Sequence, residues 1–176
     1  MDINDYYNLE NLEKSTQALH HAIEEGNTVL ALQLLPVSNP RLWHSQALWT
    51  AALYNNLVMV DALIPFSDPS DPTCKAIEVA AQEGYEQIVR RLIPAVLDVD
   101  ILNKAFANAL SYDHPACQDV LFEVCEPEKV LNMLLSSLHN PHGREQVEQR
   151  FAELKKRRIV QHLDTQRSSP RKERKM

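Results

Sequence analysis

The chain has 176 residues, 44% of them apolar and 24% charged, an ordinary composition for a soluble domain and a length that one core can serve. No apolar run approaches the roughly 18–20 residues of a membrane helix, the acidic start Met1-Asp2-Ile3-Asn4-Asp5 is the opposite of a secretory leader, and three cysteines without a CxxC pair exclude a disulfide framework. The net charge of −6 conceals a division: residues 155–176 hold nine Lys/Arg against two acids, a local +7 that leaves −13 on residues 1–154. A cytoplasmic protein whose acidic body repels nucleic acid and favours a basic protein surface is the simplest expectation.

In chain order, residues 1–14, with Ile3, Tyr6, Tyr7, Leu9 and Leu12, are expected to cap one end of a repeat domain. From residue 15 the chain repeats with a period of 29. Ala18, Ala47, Ala76 and Ala105 keep that spacing, as do Ala22, Ala51, Ala80 and Ala109, and Leu34, Leu63, Leu92 and Leu121. A fixed period of this size signals a stack of units, each burying its apolar face against its neighbours.

Within the first copy, Ala18, Leu19, Ala22 and Ile23 fall on one face of a short helix. Gly26 supplies the left-handed residue that ends it. A second helix carries Leu30, Ala31, Leu34 and Leu35 inward and stops beside Pro36. The third copy repeats this around Gly84, whereas Asn55 and Asp113 take the turn position in the second and fourth, and both residue types tolerate the left-handed conformation. Helices of about nine residues do not persist alone in water, so stacking must hold them. Alanine at the first-helix positions lets neighbouring helices approach closely. The spacing therefore assigns Ala18, Ala22, Leu34 and their equivalents to the stack, and Cys117, at the register of Leu30, Met59 and Ile88, to the core.

A degenerate fifth unit is expected through Leu134, Leu135 and Leu138, a break at Asn140-Pro141-His142-Gly143, then Val147, Phe151 and Leu154. The repeat domain thus spans 15–154. Residues 155–176 are expected to form a basic, partly disordered tail in which Lys155-Lys156-Arg157-Arg158 extends the last helix and Arg171-Lys172-Glu173-Arg174-Lys175 comes after Ser168-Ser169-Pro170, a spacing similar to a bipartite nuclear-import signal.

These units resemble ankyrin repeats, whose pattern runs Pro-Leu-His-x-Ala-Ala-x-x-Gly-His-x-x-Val-Val-x-x-Leu-Leu. Ala18-Leu19-His20-His21-Ala22-Ile23-Glu24-Glu25-Gly26 matches its first half, and Ile88-Val89-x-x-Leu92-Ile93 its second. The period is four residues short of the family's 33, and Pro-rich loops, Pro36–His44 and Pro65–Thr73, stand where the family has a β-hairpin finger. The resemblance implies an all-α, ankyrin-like solenoid of stacked helix-turn-helix repeats. It also implies a concave binding surface just before each turn residue: Glu24, Glu25, Leu53, Tyr54, Gln82, Glu83, Ser111 and Tyr112, with Trp43 and Asp71 in neighbouring loops. Aromatics flanked by carboxylates suit an interface, because aromatics anchor and charges steer.

Nothing in the sequence spells a catalytic site. With glycine only at 26, 84 and 143 there is no phosphate-cradling loop, and no GxSxG or HExxH motif occurs. His20-His21 and His139-x-x-His142 are the histidine pairs, and Pro141 and Gly143 argue against a helical metal pair at the latter. The expectation is a non-enzymatic protein-protein interaction module, without cofactor or metal, that binds a basic partner through an acidic face. Two alternatives are an immunity-type inhibitor of a basic toxin or nuclease, and an effector or adaptor whose basic tail directs nuclear or nucleic-acid targeting.

Overall fold

The structure, a computed structural model, describes residues 3–168, among which there are ten α-helices and no strand. α1 (Ile3–Glu24), α3 (Leu42–Leu53), α5 (Ala76–Gln82), α7 (Val99–Ser111) and α9 (Pro127–Ser137) touch in succession, and α2 (Thr28–Leu34), α4 (Leu57–Leu63), α6 (Glu86–Leu92) and α8 (Pro115–Leu121) form a second row beside them. Each odd helix up to α7 also packs on the even helix next in the chain, while α10 (Pro141–Ser168) lies against α7, α8 and α9. Pro36, Pro65 and Pro94 each sit in a three-residue 3₁₀ turn that prolongs the second helix, Leu35–Val37, Ile64–Phe66 and Ile93–Ala95. The connections are thus helical turns and short loops, not hairpins.

The turn grammar read from the period holds in all four copies. Gly26, Asn55, Gly84 and Asp113 have φ of 71°, 54°, 77° and 60°. The next residue closes each helix back onto the repeat alanine: the amides of Asn27, Asn56, Tyr85 and His114 donate to the carbonyls of Ala22, Ala51, Ala80 and Ala109 at 2.8–2.9 Å. Asn27 and Asn56 then accept the amides of Leu30 and Met59 at 3.1 Å, so one residue both ends the first helix and caps the second.

Not every glycine at this register is equivalent. A Cβ on Gly26 would meet nothing within 4 Å, but on Gly84 it would lie 2.6 Å from Nδ1 of His114, which packs under the turn from the next copy. Gly26→Ala is predicted to cost about 1–2 kcal/mol for the left-handed backbone alone, and Gly84→Ala more, because the His114 ring must also move. Equal urea midpoints for the two variants would show that the ring yields freely.

The core runs unbroken along both rows. Leu19, Leu48, Ile77 and Phe106 are fully or almost fully buried, as are Ala22, Ala51, Ala80 and Ala109, and Met59, Ile88 and Cys117. Two residues assigned to the stack depart from this: Ala18 is exposed and Leu34 only half-buried, whereas their equivalents Ala47, Ala76, Ala105, Leu63, Leu92 and Leu121 are buried. Both belong to the first copy, and among the described residues no earlier unit packs against it.

A buried polar ladder that the period did not disclose ties the connection to its own first helix in three of the four units. The register Thr16, Ser45, Cys74, Asn103 is buried throughout. Asn39 N donates to Thr16 Oγ1 at 2.9 Å, Asp68 N to Ser45 Oγ at 2.8 Å, and Glu126 N to Asn103 Oδ1 at 2.8 Å, each across 23 residues. Cys74 is the exception: thiol sulfur is a weak acceptor, and the matching amide, Leu97 N, donates instead to Ser70 Oγ at 2.8 Å.

At its ends the stack departs from the simplest domain division. α1 is one continuous helix through residue 14, so the segment read as a cap and the first repeat helix share one axis. The break falls at residues 138–140, ahead of the expected Asn140-Pro141-His142-Gly143, because Pro141 is accepted in the first turn of a helix, where its missing N–H is not needed, and His142 and Gly143 follow it into α10. α10 then continues through residue 155 to Ser168, so the first part of the tail, expected to be partly disordered, is helical. Ser169-Pro170 and the basic run Arg171–Lys175 lie outside the described residues.

Candidate partner-binding face

The C-terminal ends of α1, α3, α5 and α7 bring eight of the sequence-nominated residues into one row. Because those helices touch in succession, residues 29 apart are neighbours along the stack, so Glu24, Leu53, Gln82 and Ser111 form one line and Glu25, Tyr54, Glu83 and Tyr112 the next. Tyr54 is 53% exposed and Tyr112 55%; Glu24, Glu25, Glu83 and Ser111 are exposed as well. Leu53 and Gln82 are half-buried, Leu53 against the core. Gln82 Nε2 donates to Glu83 Oε1 at 3.0 Å, and His21 Nε2 stands 3.2 Å from Glu25 Oε1. Each row residue sits just ahead of a turn whose main chain is fixed by backbone hydrogen bonds.

Trp43 and Asp71 are not in that row. They lie beside the N-terminal end of α3, a helix whose C-terminal end carries Tyr54, and both have local work. Trp43, His44 and Ser45 have φ of 52°, 58° and 58°, a left-handed turn at the start of α3 that costs of order 1–2 kcal/mol per residue. Three side chains offset it. The Trp43 indole meets the His20 ring edge-on at 5.4 Å, His44 Nδ1 stands 3.0 Å from Asp71 Oδ2, and Ser45 Oγ accepts the ladder bond from Asp68. Asp71 Oδ1 also accepts from Thr73 Oγ1 at 2.6 Å and Thr73 N at 2.9 Å. Those bonds, together with the one to His44, hold its carboxyl down at about 2. Asp71 is therefore a brace for its loop.

Burial pushes the thiols of Cys74 and Cys117 up to about 11 and that of Cys125 to about 12, so almost no nucleophilic thiolate exists near neutral pH. Burial likewise lowers His20, partly countered by Glu24. No group of three or more His, Cys, Asp or Glu among the described residues could hold a metal. Nor is any helix among them long and apolar enough to cross a membrane.

The basic residues of α10 supply what sequence reasoning missed. Arg150 Nη1 donates to the carbonyls of Leu110 at 3.0 Å and Ser111 at 3.4 Å, closing the C-terminal end of α7 beside Tyr112. Lys155 pairs with Glu128, Arg157 with Asp119 at 3.8 Å, and Arg158 with Glu123. Three of the four cations in Lys155–Arg158 therefore face acids of the body, and Lys155 also covers the Phe151 ring at 4.9 Å. One signal could have revealed this docking. Gln118 holds the register of Ala31, Val60 and Val89, yet it is buried; its Nε2 donates to Ala109 O at 3.0 Å and its Oε1 accepts from Arg157 at 3.2 Å. A polar residue at an apolar register marks the place where something other than a further repeat covers the unit. No family model, curated protein or solved structure matches the chain.

Proposed function

We propose that the chain is a non-enzymatic protein-binding module, an ankyrin-like solenoid that holds a partner with a basic surface against the row Glu24, Glu25, Tyr54, Glu83 and Tyr112. The observation that carries this reading is the row itself: two half-exposed tyrosines interleaved with carboxylates, at equivalent ends of helices that touch in succession. Tyrosine contributes rigid contact area with a polar tip. The charge of −13 on residues 1–154 attracts a cationic partner over a longer range and raises its association rate.

The test is affinity capture with the full chain and with Tyr54→Ala/Glu83→Lys, each checked for unchanged helicity. Loss of two such contacts is expected to weaken the complex by roughly 30-fold or more, the effect of about 2 kcal/mol at a binding hot spot. The association rate is expected to fall as salt rises. The same bound proteins, recovered in the same yield by the double variant, would remove the row from consideration.

A further inference from the structure

We propose that His20 and Trp43 form an acid-sensitive latch between α1 and the start of α3, closed while the imidazole is neutral and opened when it takes up a proton. His20 is 8% exposed, and its Nε2 is buried with no hydrogen-bond partner among the described residues. Its ring meets the Trp43 indole at 5.4 Å, with the two planes 78° apart. A neutral imidazole can leave that nitrogen as a bare acceptor, whereas an imidazolium makes both ring nitrogens donors and carries a charge withdrawn from water. The indole attracts a cation, but one ring does not restore what an ion loses on leaving water.

The latch holds a strained segment. Trp43, His44 and Ser45 all have a left-handed backbone, a conformation that persists only where its surroundings impose it. Its three braces answer acid differently. His44 faces Asp71, whose carboxyl stays ionised down to about 2, so a proton on His44 strengthens that contact. The bond from Asp68 N to Ser45 Oγ contains no titrating group. Acid therefore withdraws the brace on the α1 side alone, and the turn stays tied to the loop ahead of α5. Opening is confined to the junction between the first unit and the second.

Few charges compete for control of His20. α2 and the turn Leu35–Val37, both packed on α1, contain none. α3 contributes only His44, and Arg41 stands exposed just ahead of it. On α1 itself Glu24, one turn on, favours the charged ring, but burial outweighs it and holds the histidine below its ordinary value; Glu13, two turns back, is exposed. A histidine so depressed is neutral in the closed contact, and opening binds one proton. The latch is therefore closed above the ordinary histidine value of about 6.5 and gives way as pH falls below it. The opening equilibrium grows about tenfold per pH unit until the closed-state value is passed.

Two-dimensional NMR of the full chain between about pH 8 and about pH 4.5 tests this, with the ring of His20 and the indole N–H of each tryptophan followed together. His20 is expected to titrate below about 6.5, and the Trp43 indole to move with the same midpoint while that of Trp49 stays. The Ser45 amide, which donates to Arg41 O at 3.3 Å, should lose at least about tenfold of its exchange protection between about pH 7 and about pH 5. His20→Phe keeps an aromatic ring against Trp43 and cannot titrate, so it should abolish the change; His44→Asn should leave it in place. If His20→Phe does not fold, the shared midpoint in the native chain decides alone. A Trp43 indole that ignores the His20 titration would overturn the proposal, as would protection that rises when His20 gains its proton or a change that survives His20→Phe.

Discussion

Phe106→Ala is expected to lower the free energy of unfolding by about 3–5 kcal/mol, the largest effect of any single truncation in this core. Phe106 is fully buried at the register held by Leu19, Leu48 and Ile77. Its ring meets Phe122 edge-on at 6.0 Å, and Phe122 in turn meets Phe151 of α10 at 6.3 Å. An edge-to-face pair contributes roughly 0.5–1.5 kcal/mol beyond the area it buries. The substitution therefore empties a core site and also loosens the aromatic chain that joins the last full repeat to its terminal helix. For a domain stabilised by about 5–15 kcal/mol, the urea midpoint should fall steeply, with early loss of α10 protection in hydrogen exchange. A change below about 1 kcal/mol would mean that Phe122 collapses into the space and that the aromatic chain is incidental.

Ala80→Leu and Ala62→Leu form the second comparison. Ala80 is fully buried where α5 contacts both α3 and α7, and its carbonyl accepts the amide that closes the turn. A leucine there forces helices apart on two sides, a change that overpacking series place at roughly 1–3 kcal/mol and sometimes more. Ala62, half-buried on α4 outside the alanine register, should accept the same substitution within about 0.5 kcal/mol, as surface sites do. Denaturant midpoints that coincide would refute the idea that small residues set the helix spacing.

The parts of the fold legible in the sequence are those governed by the repeat. Four left-handed turn residues, the two alanine registers and the burial of Cys117 can each be inferred from one copy once the period is known, because a side chain that meets the same neighbours in every unit is under the same constraint. Ala18 and Leu34 escaped that reasoning since burial at a stack end depends on what lies beyond it, which no internal spacing encodes. The Thr16, Ser45, Asn103 ladder was hidden because hydroxyl and amide side chains perform one task with different residue types. Asp71 and Trp43 were nominated from a family in which fingers occupy that position. Here the connection is short and left-handed, and both residues brace it. The basic run at Lys155–Arg158 reads as a tail because its partners lie far from it in the chain: Asp119 on α8, Glu128 on α9 and Glu123 in the turn between those helices.

The ladder has a consequence for how such a chain can change length. In the units that use it, the closing bond joins two residues of the same unit, 23 positions apart. Duplication or loss of one whole 29-residue block therefore leaves the other loops closed, wherever within the period the breakpoints fall. Gene-level recombination between units needs no matched junction, and the number of modules can drift while the pitch of the stack stays the same.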